Sequence, residues 1–558
     1  MTERPHLAVI GAGPAGLAAS LAAASRGVRV TLIDSAAEAG GQFYRHPAAE
    51  LSARRPLQQS RTWARLVRGL ADQVRAGAIE HLTDHHVWVV EGGAPGEGGG
   101  VAGGCGAYGG VLGGRTGGVD AVDGGVLGGR TGGVDAVDGA VLGGRTAEVD
   151  AADRAAPARR AAGPVVSPAV PRPGGFAVHA LLGPLQEESA VVRADAVLLA
   201  TGGYERVLPF PGWTLPGVVT AGGVQALLKG ALAVPGRTAV VAGSGPLLLP
   251  VATGLAAAGV DVAALVESAA PRAFVRRAGT LAARPDKLAE GARYAARLLC
   301  HRVALLAHHT VVEAHGGERL EAVTVARLDT AGRVRPGTGR RIPCDTLAVG
   351  HGMLPHTDLA EALGCRIEGL NVHVDREQRT DVPGVWAAGE TTGIGGAALA
   401  LAEGHIAGRS IAARLNGAEP DPRQWSAAAK SRTRLREFFA ALDAVCAPPA
   451  HWPEQVTDDT VVCRCEEVTG GAVRAAVTGL GAGDVRTVKL LTRAGMGWCQ
   501  GRMCESAVAG LAGCEQVPVR RLLARPVPLG VLARAGYPEA TDRPTPSPAA
   551  GVRQARGE

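Results

Sequence analysis

Four cysteines near the end of the chain are the residues whose types and spacing could do chemistry. They form two close pairs, Cys463/Cys465 in "VVCRC" and Cys499/Cys504 in "MGWCQGRMC", with 33 residues between the pairs. Four thiolates on two loops can surround one centre, and three chemistries fit them: a disulfide pair, a zinc knot or an electron-carrying iron–sulfur cluster. Structural zinc sites more often leave two residues between neighbouring cysteines. A [2Fe–2S] cluster held by four thiolates tolerates uneven spacing, and Lys489, Arg493 and Arg502 stand nearby to offset its negative charge. The stretch between the pairs predicts two short helices joined by glycine turns.

Composition narrows the setting. With 558 residues the chain is too long for one core and should hold about three compact units. Many Gly and Ala and few aromatics suit parallel α/β folds. A net charge of +6 is small for this length, and no basic run interleaves with aromatics, so no nucleic-acid groove is expected. The apolar N-terminal stretch is broken by Gly11, Gly13, Pro14 and Gly16 and lacks a basic leader, which argues against a signal peptide. No uninterrupted apolar run is long enough to span a bilayer, so no integral membrane segment is expected. The expectation is a cytoplasmic protein, a setting in which clustered cysteines point to metal or redox work rather than disulfides.

Two stretches look built to cradle phosphates. "HLAVIGAGPAGLAASLAAASRGVRVTLID" reads as strand, turn, helix, strand, with Gly11-x-Gly13-Pro14-Ala15-Gly16 at the turn. Gly11 permits the tight turn, Gly13 lets backbone approach a pyrophosphate, and Gly16 lets the helix pack on the sheet. The helix N-terminus offers N–H groups and a positive dipole end, and Asp34 ends the next strand, placed to hold ribose hydroxyls. A second copy, "RTAVVAGSGPLLLPVATGLAAAGVDVAALVES", keeps Gly243 and Gly245 and ends its second strand at Glu267. Leu248 replaces its third glycine and should hold the helix further from the strand. If this turn binds a nicotinamide, Glu267 would repel a 2′-phosphate, so NAD is favoured over NADP. Two more buried strands end in glycines, at Thr201-Gly202 and at Gly389-Glu390.

The set GAGPAG, GGQFYR (40–45), ATGG, GSGP and AAGE resembles the two-dinucleotide-domain flavoproteins related to glutathione reductase. That resemblance implies an α/β architecture of two Rossmann-like domains, the second inserted in the first, with FAD on the first and NAD a candidate for the second. It also places Gly41 and Gln42 in a flavin-side loop and Glu390 where the family has an Asp contacting the ribityl chain. The cysteine pair that disulfide reductases carry beside the flavin is missing, and Cys300, Cys344 and Cys365 stand isolated. The four-cysteine stretch is similar to the bacterioferritin-associated-ferredoxin-like domain, which implies that Cys463, Cys465, Cys499 and Cys504 hold [2Fe–2S] in a small helical C-terminal domain.

In this order the modules resemble the flavin and iron–sulfur subunit of heteromeric amine dehydrogenases. These include the larger subunit of opine oxidase, the alpha subunits of hydroxyproline and proline dehydrogenases, and the flavin subunit of hydrogen cyanide synthase. The resemblance implies a small amine or imino-acid substrate, a second flavoprotein subunit for partner, and electrons passing through FAD and [2Fe–2S] to an acceptor. Two other functions stay open: an NADH-dependent reductase feeding the cluster, and a scaffold that keeps its cofactors without catalysis. Flavin chemistry needs no side-chain nucleophile, so no catalytic residue is assigned. His351, His356 and His405 are expected to be packed or capped rather than catalytic.

The predicted organisation follows. Residues 1–90, 176–235 and 346–420 form the FAD-binding domain, and 236–345 the NAD(P)-binding-like domain. Residues 421–460 are a helical connector, 461–515 the [2Fe–2S] domain and 516–558 an extension with a disordered tail. Residues 91–175 depart from this pattern. "GGVLGGRTGGVDAVD" occurs twice in succession and once more altered, a fifteen-residue period too short-lived for a solenoid, and is expected to be a disordered insertion.

Overall fold

The computed structural model describes residues 4–47, 61–92, 175–183, 185–518 and 521–536. The fifteen-residue repeats and the tail from Thr541 lie outside the described residues.

Short, largely apolar runs become strands buried over most of their length, as a parallel sheet covered by helices requires. Strand β1 (His6–Ile10), helix α1 (Pro14–Ala24) and strand β2 (Arg29–Ile33) form the first turn of this kind. Five parallel strands make the first sheet, in the order Val385–Ala387, Ala196–Leu199, β1, β2, Ile79–Leu82. A long helix, Gly396–Leu415, crosses α1 closely. It does so because Gly404 and Gly408 lack side chains: a Cβ there would lie 2.1 and 2.3 Å from the carbonyl oxygens of Ala15 and Ala19.

After Leu199 the chain leaves this sheet through Gly203–Glu205 and returns through Met353–Pro355, two strands that pair antiparallel. Between them the chain builds a second five-stranded parallel sheet, ordered Ala304–Ala307, Asp261–Glu267, Thr238–Gly243, Thr346–Gly350, Val218–Thr220, and a three-stranded antiparallel sheet of His309–His315, Ala322–Arg327 and Arg340–Pro343. The second Rossmann-like fold is therefore nested within the first. Its sheet takes in Val218–Thr220 and Thr346–Gly350, beyond the 236–345 span read from sequence. Long-range pairing recruits those strands, and local pattern does not report it.

The helix Ser426–Val445 packs along Gly396–Leu415, pinned by the ion pair of Arg436 with the fully buried Glu403 at 2.6 Å. Beyond it, a two-stranded ribbon (Val461–Cys463, Val468–Thr469) and helices Gly470–Leu480, Val485–Thr492 and Glu505–Ala512 enclose a separate small core. Thr469 and Asp484 cap two of these helices through their side-chain oxygens, and Gly481 and Gly513 end two in the left-handed conformation. Among the described residues no helix is long and apolar enough to cross a membrane.

Candidate cofactor sites

The first glycine turn is shaped by what cannot fit. A Cβ on Gly11 (φ +107°) would sit 2.3 Å from Ala200 O, and one on Gly16 would sit 1.8 Å from Gly11 O. A Cβ on Gly13 would meet nothing within 4 Å, because Gly13 faces a cavity of about 940 Å³. Gly11, Pro14, Ala15, Asp34, Gly41, Gln42, Thr201, Gly202, Gly389 and Glu390 line the same cavity. Gly16 does not; it lies behind the turn and sets the helix-to-strand spacing. Asp34 closes the cradle by accepting the N–H groups of Ala12 and Ala36. Burial raises the Glu390 carboxyl, opposed by the Gly396 N–H. No cysteine is among the lining residues.

Of the three histidines near the flavin motifs, one lines this cavity. His356 offers its carbonyl to the hydroxyls of Thr201 and Thr391 and bonds Asp358 through Nε2 at 2.9 Å. His351, pushed down to about 4 by burial and then by Arg206, and His405, lowered by burial, are not part of the cavity wall.

The second glycine turn has the same skeleton and a different surface. A Cβ on Gly243 would meet Gly350 O at 1.8 Å, as Gly11 would meet Ala200. Glu267 accepts from the N–H groups of Gly245 and Ala269, as Asp34 does from Ala12 and Ala36. Burial pushes its carboxyl up to about 7. Leu248, only 1% exposed, packs among Ala221, Val224 and Val251, and the helix starts at Leu248, two positions later than in the first turn. The N–H groups of Leu248 and Leu249 are spent on Gly245 and Pro246 carbonyls. The connector then covers the turn: Ser244 Oγ donates to Cys446 O, and the β position of Gly245 lies 3.7 Å from Cys446 Cβ. Cys446 is the end cap of helix Ser426–Val445, and its thiol is pushed up to about 12 by burial and then by Glu267 and Asp443.

The four paired cysteines are brought together by the small C-terminal fold. Cys463 and Cys504 are buried and in contact, Cys465 and Cys499 are in contact nearer the surface, and Cys499 also faces Cys504. Gly497 makes room, since a Cβ there would lie 2.2 Å from Cys465 Cβ. Among the described residues no three acidic, histidine or cysteine side chains crowd one point tightly enough for a single ion. Four thiols, with no imidazole or carboxylate among them, are a donor set that zinc and iron–sulfur centres share. Burial raises the Cys499 and Cys504 thiols, so they ionise fully only against a cation.

A buried ionic network joins this fold to the first cavity. Arg502, two residues before Cys504, donates to Cys499 O and to Asp358, and Arg521 bridges Asp358 and Glu505. Asp358 is 3% exposed. Burial favours its neutral form, but the His356 hydrogen bond and the two guanidinium groups outweigh that and hold the carboxyl well below its usual range. No sequence motif marks Asp358, Arg521 or Cys446 for a site; only the folded chain brings them to one.

Comparison with known proteins agrees with this layout. Residues 9–74 match the NAD(P)-binding Rossmann-like domain, 177–430 the pyridine nucleotide-disulphide oxidoreductase family, and 461–512 the BFD-like [2Fe-2S] binding domain. The chain is thus a flavin-dependent oxidoreductase whose cofactors are FAD and a [2Fe–2S] cluster. The HcnB subunit of hydrogen cyanide synthase from Pseudomonas aeruginosa is 38% identical over 321 residues, 56% of this chain and 69% of that protein. The corresponding opine oxidase subunit of Agrobacterium tumefaciens is 29% identical over 522 residues, 91% of this chain and 86% of that protein. The chain belongs to the family of these subunits. A crystal structure of L-proline dehydrogenase from P. horikoshii shares the fold, with TM-score 0.55 at 16% identity over 96% of this chain and 81% of that one.

Proposed function

We propose that this chain is the flavin and iron–sulfur subunit of an amine or imino-acid dehydrogenase complex of the hydroxyproline, proline or opine type. It works in the cytoplasm with a second flavoprotein subunit. FAD lies in the first cavity along Gly11, Gly13, Asp34, Thr201 and Glu390, and Cys463, Cys465, Cys499 and Cys504 hold the cluster. Bound there, the flavin takes substrate electrons as a pair and the cluster passes them on singly.

One observation carries this reading: Arg502 ties the cysteine fold to Asp358, and Asp358 is bonded to His356 on the cavity wall. The residues do the holding. His356 fixes Thr201 and Thr391 through its carbonyl, while Asp358, charged and buried, sets the seam between the two cofactor sites.

The competing reading, a reductase fed by NADH, needs an open second turn, and Cys446 lies over Gly245. The test is anaerobic mixing of the purified protein with NADH while flavin absorbance is followed. The flavin should stay oxidised. It should bleach when hydroxyproline, proline or an opine is supplied together with the second flavoprotein. Rapid stoichiometric bleaching by NADH alone would replace this proposal with the reductase.

A further inference from the structure

The chain does not stop at the cysteine fold. Residues 521–536 run back across the first Rossmann-like fold, where Ala524 N–H donates to Trp88 O at 2.9 Å. Ala524 is packed in the same core cluster as Ile10 and Ile33, which precede the first glycine turn and Asp34. Val531, 1% exposed, packs with Trp88 and Leu181, and Arg534 donates to Glu187 O. This segment is therefore fastened on both sides of Arg525, and Arg525 lines the first cavity together with Asp34 and His86.

Arg525 is incompletely satisfied there. One Nη2 bond goes to Gln186 Oε1 at 2.7 Å, while its Nε is shielded from solvent without a hydrogen-bond partner among the described residues. Its charge is disfavoured by burial first and by Arg502 second. The neighbouring Asp34 has both carboxylate oxygens engaged by backbone N–H groups. A half-buried guanidinium with one hydrogen bond among the described residues, on the wall of a cavity whose floor is a glycine turn, fits an anionic oxygen of a ligand.

We propose that Arg525 is a phosphate ligand of the dinucleotide in the first cavity, delivered by the segment that follows the iron–sulfur fold. The proposal rests on the reading that this cavity holds FAD. It makes flavin retention depend on sequence beyond the last cysteine, so the two cofactor sites are completed by one continuous stretch of chain.

The test uses the full-length protein stripped of flavin, titrated by calorimetry with FAD, ADP and adenosine. Arg525→Ala should weaken FAD and ADP by about ten- to a hundredfold, the loss of a charge-assisted hydrogen bond. Adenosine, which carries no phosphate, should change by less than about twofold. Arg525→Lys should recover part of the loss, because it restores charge without the planar fork. Unchanged FAD and ADP affinity, or an equal loss for adenosine, overturns the assignment. Should Arg525→Ala fail to fold, Arg525→Gln answers the same question with similar bulk. A wild-type protein that binds no FAD fails the parent reading itself, a result distinct from wild-type binding that Arg525→Ala leaves untouched.

Discussion

Arg502 grips Asp358 through both Nε and Nη2, at 2.8 and 2.6 Å, across 144 residues of sequence. The pair is nearly dry, with side chains 16% and 4% exposed. Buried pairs of this kind add little net stability when intact, but removing one partner strands the other. Asp358→Ala should cost about 3–5 kcal/mol, because Arg502 loses its one ion pair among the described residues and Arg521 keeps Glu505. Denaturant unfolding measures the loss, and visible absorbance per polypeptide should show cluster falling with it. Asp358→Asn preserves shape without charge; wild-type stability in that variant would mean the ion pairs contribute nothing.

Gly11 and Gly13 are two residues apart and should respond oppositely to a side chain. Gly11→Ala places a Cβ 2.3 Å from Ala200 O at φ +107°, and should destabilise the fold by at least about 2 kcal/mol. Gly13 has φ −71°, which any residue adopts, and open space before it. Gly13→Leu should fold with flavin-free stability within about 0.5 kcal/mol of wild type, yet bind FAD at least about a hundredfold more weakly. Flavin retained at full occupancy in Gly13→Leu would remove the first turn from the cofactor site.

What the sequence disclosed and what it hid divide along one line. The glycine turns, Asp34, Glu267 and the cysteine pairs are local patterns whose residue types are dictated by backbone approach or by donor chemistry, so their spacing alone places them. The Asp358 network joins residues 144 and 163 positions apart, and nothing in the local context "PHTDLA" marks one aspartate among many. Cys446 lies outside the paired-cysteine pattern and carries no role in sequence, because its position depends on where helix Ser426–Val445 ends, against Ser244. His356 reads in sequence as a packed or capped histidine; its bond to Asp358 is not legible there. Leu248 did signal a changed turn; the structure adds that the helix begins two positions later.

The assignment of the cluster ligands separates sharply among the cysteines. Serine at Cys463, Cys465, Cys499 or Cys504 should abolish the [2Fe–2S] electron paramagnetic resonance signal of the reduced protein. Serine at Cys300, Cys344, Cys365, Cys446 or Cys514 should leave it, since the contacts that gather the four involve none of these five. A silent wild-type protein containing zinc would sink the assignment.

Glu267 gives the second turn a pH dependence whose sign follows from burial. Its carboxyl is raised from 4.5 to about 7 in the folded protein, so the native state holds a proton that the unfolded chain has released across that window. The contribution of Glu267 to stability is then at its fullest below pH 4.5 and declines as pH rises to about 7, where the buried group ionises. At about 1.4 kcal/mol per pH unit the decline reaches about 3 kcal/mol. Glu267→Gln cannot ionise, and it keeps one carbonyl oxygen for the N–H groups of Gly245 and Ala269. It should carry a roughly constant offset from one lost acceptor, and the difference from wild type should shift in its favour between pH 5 and 8. Unfolding free energies measured across that range would refute this if the two proteins run parallel. In that case Glu267 is charged in the fold, and the turn under Cys446 is wetter than its packing implies.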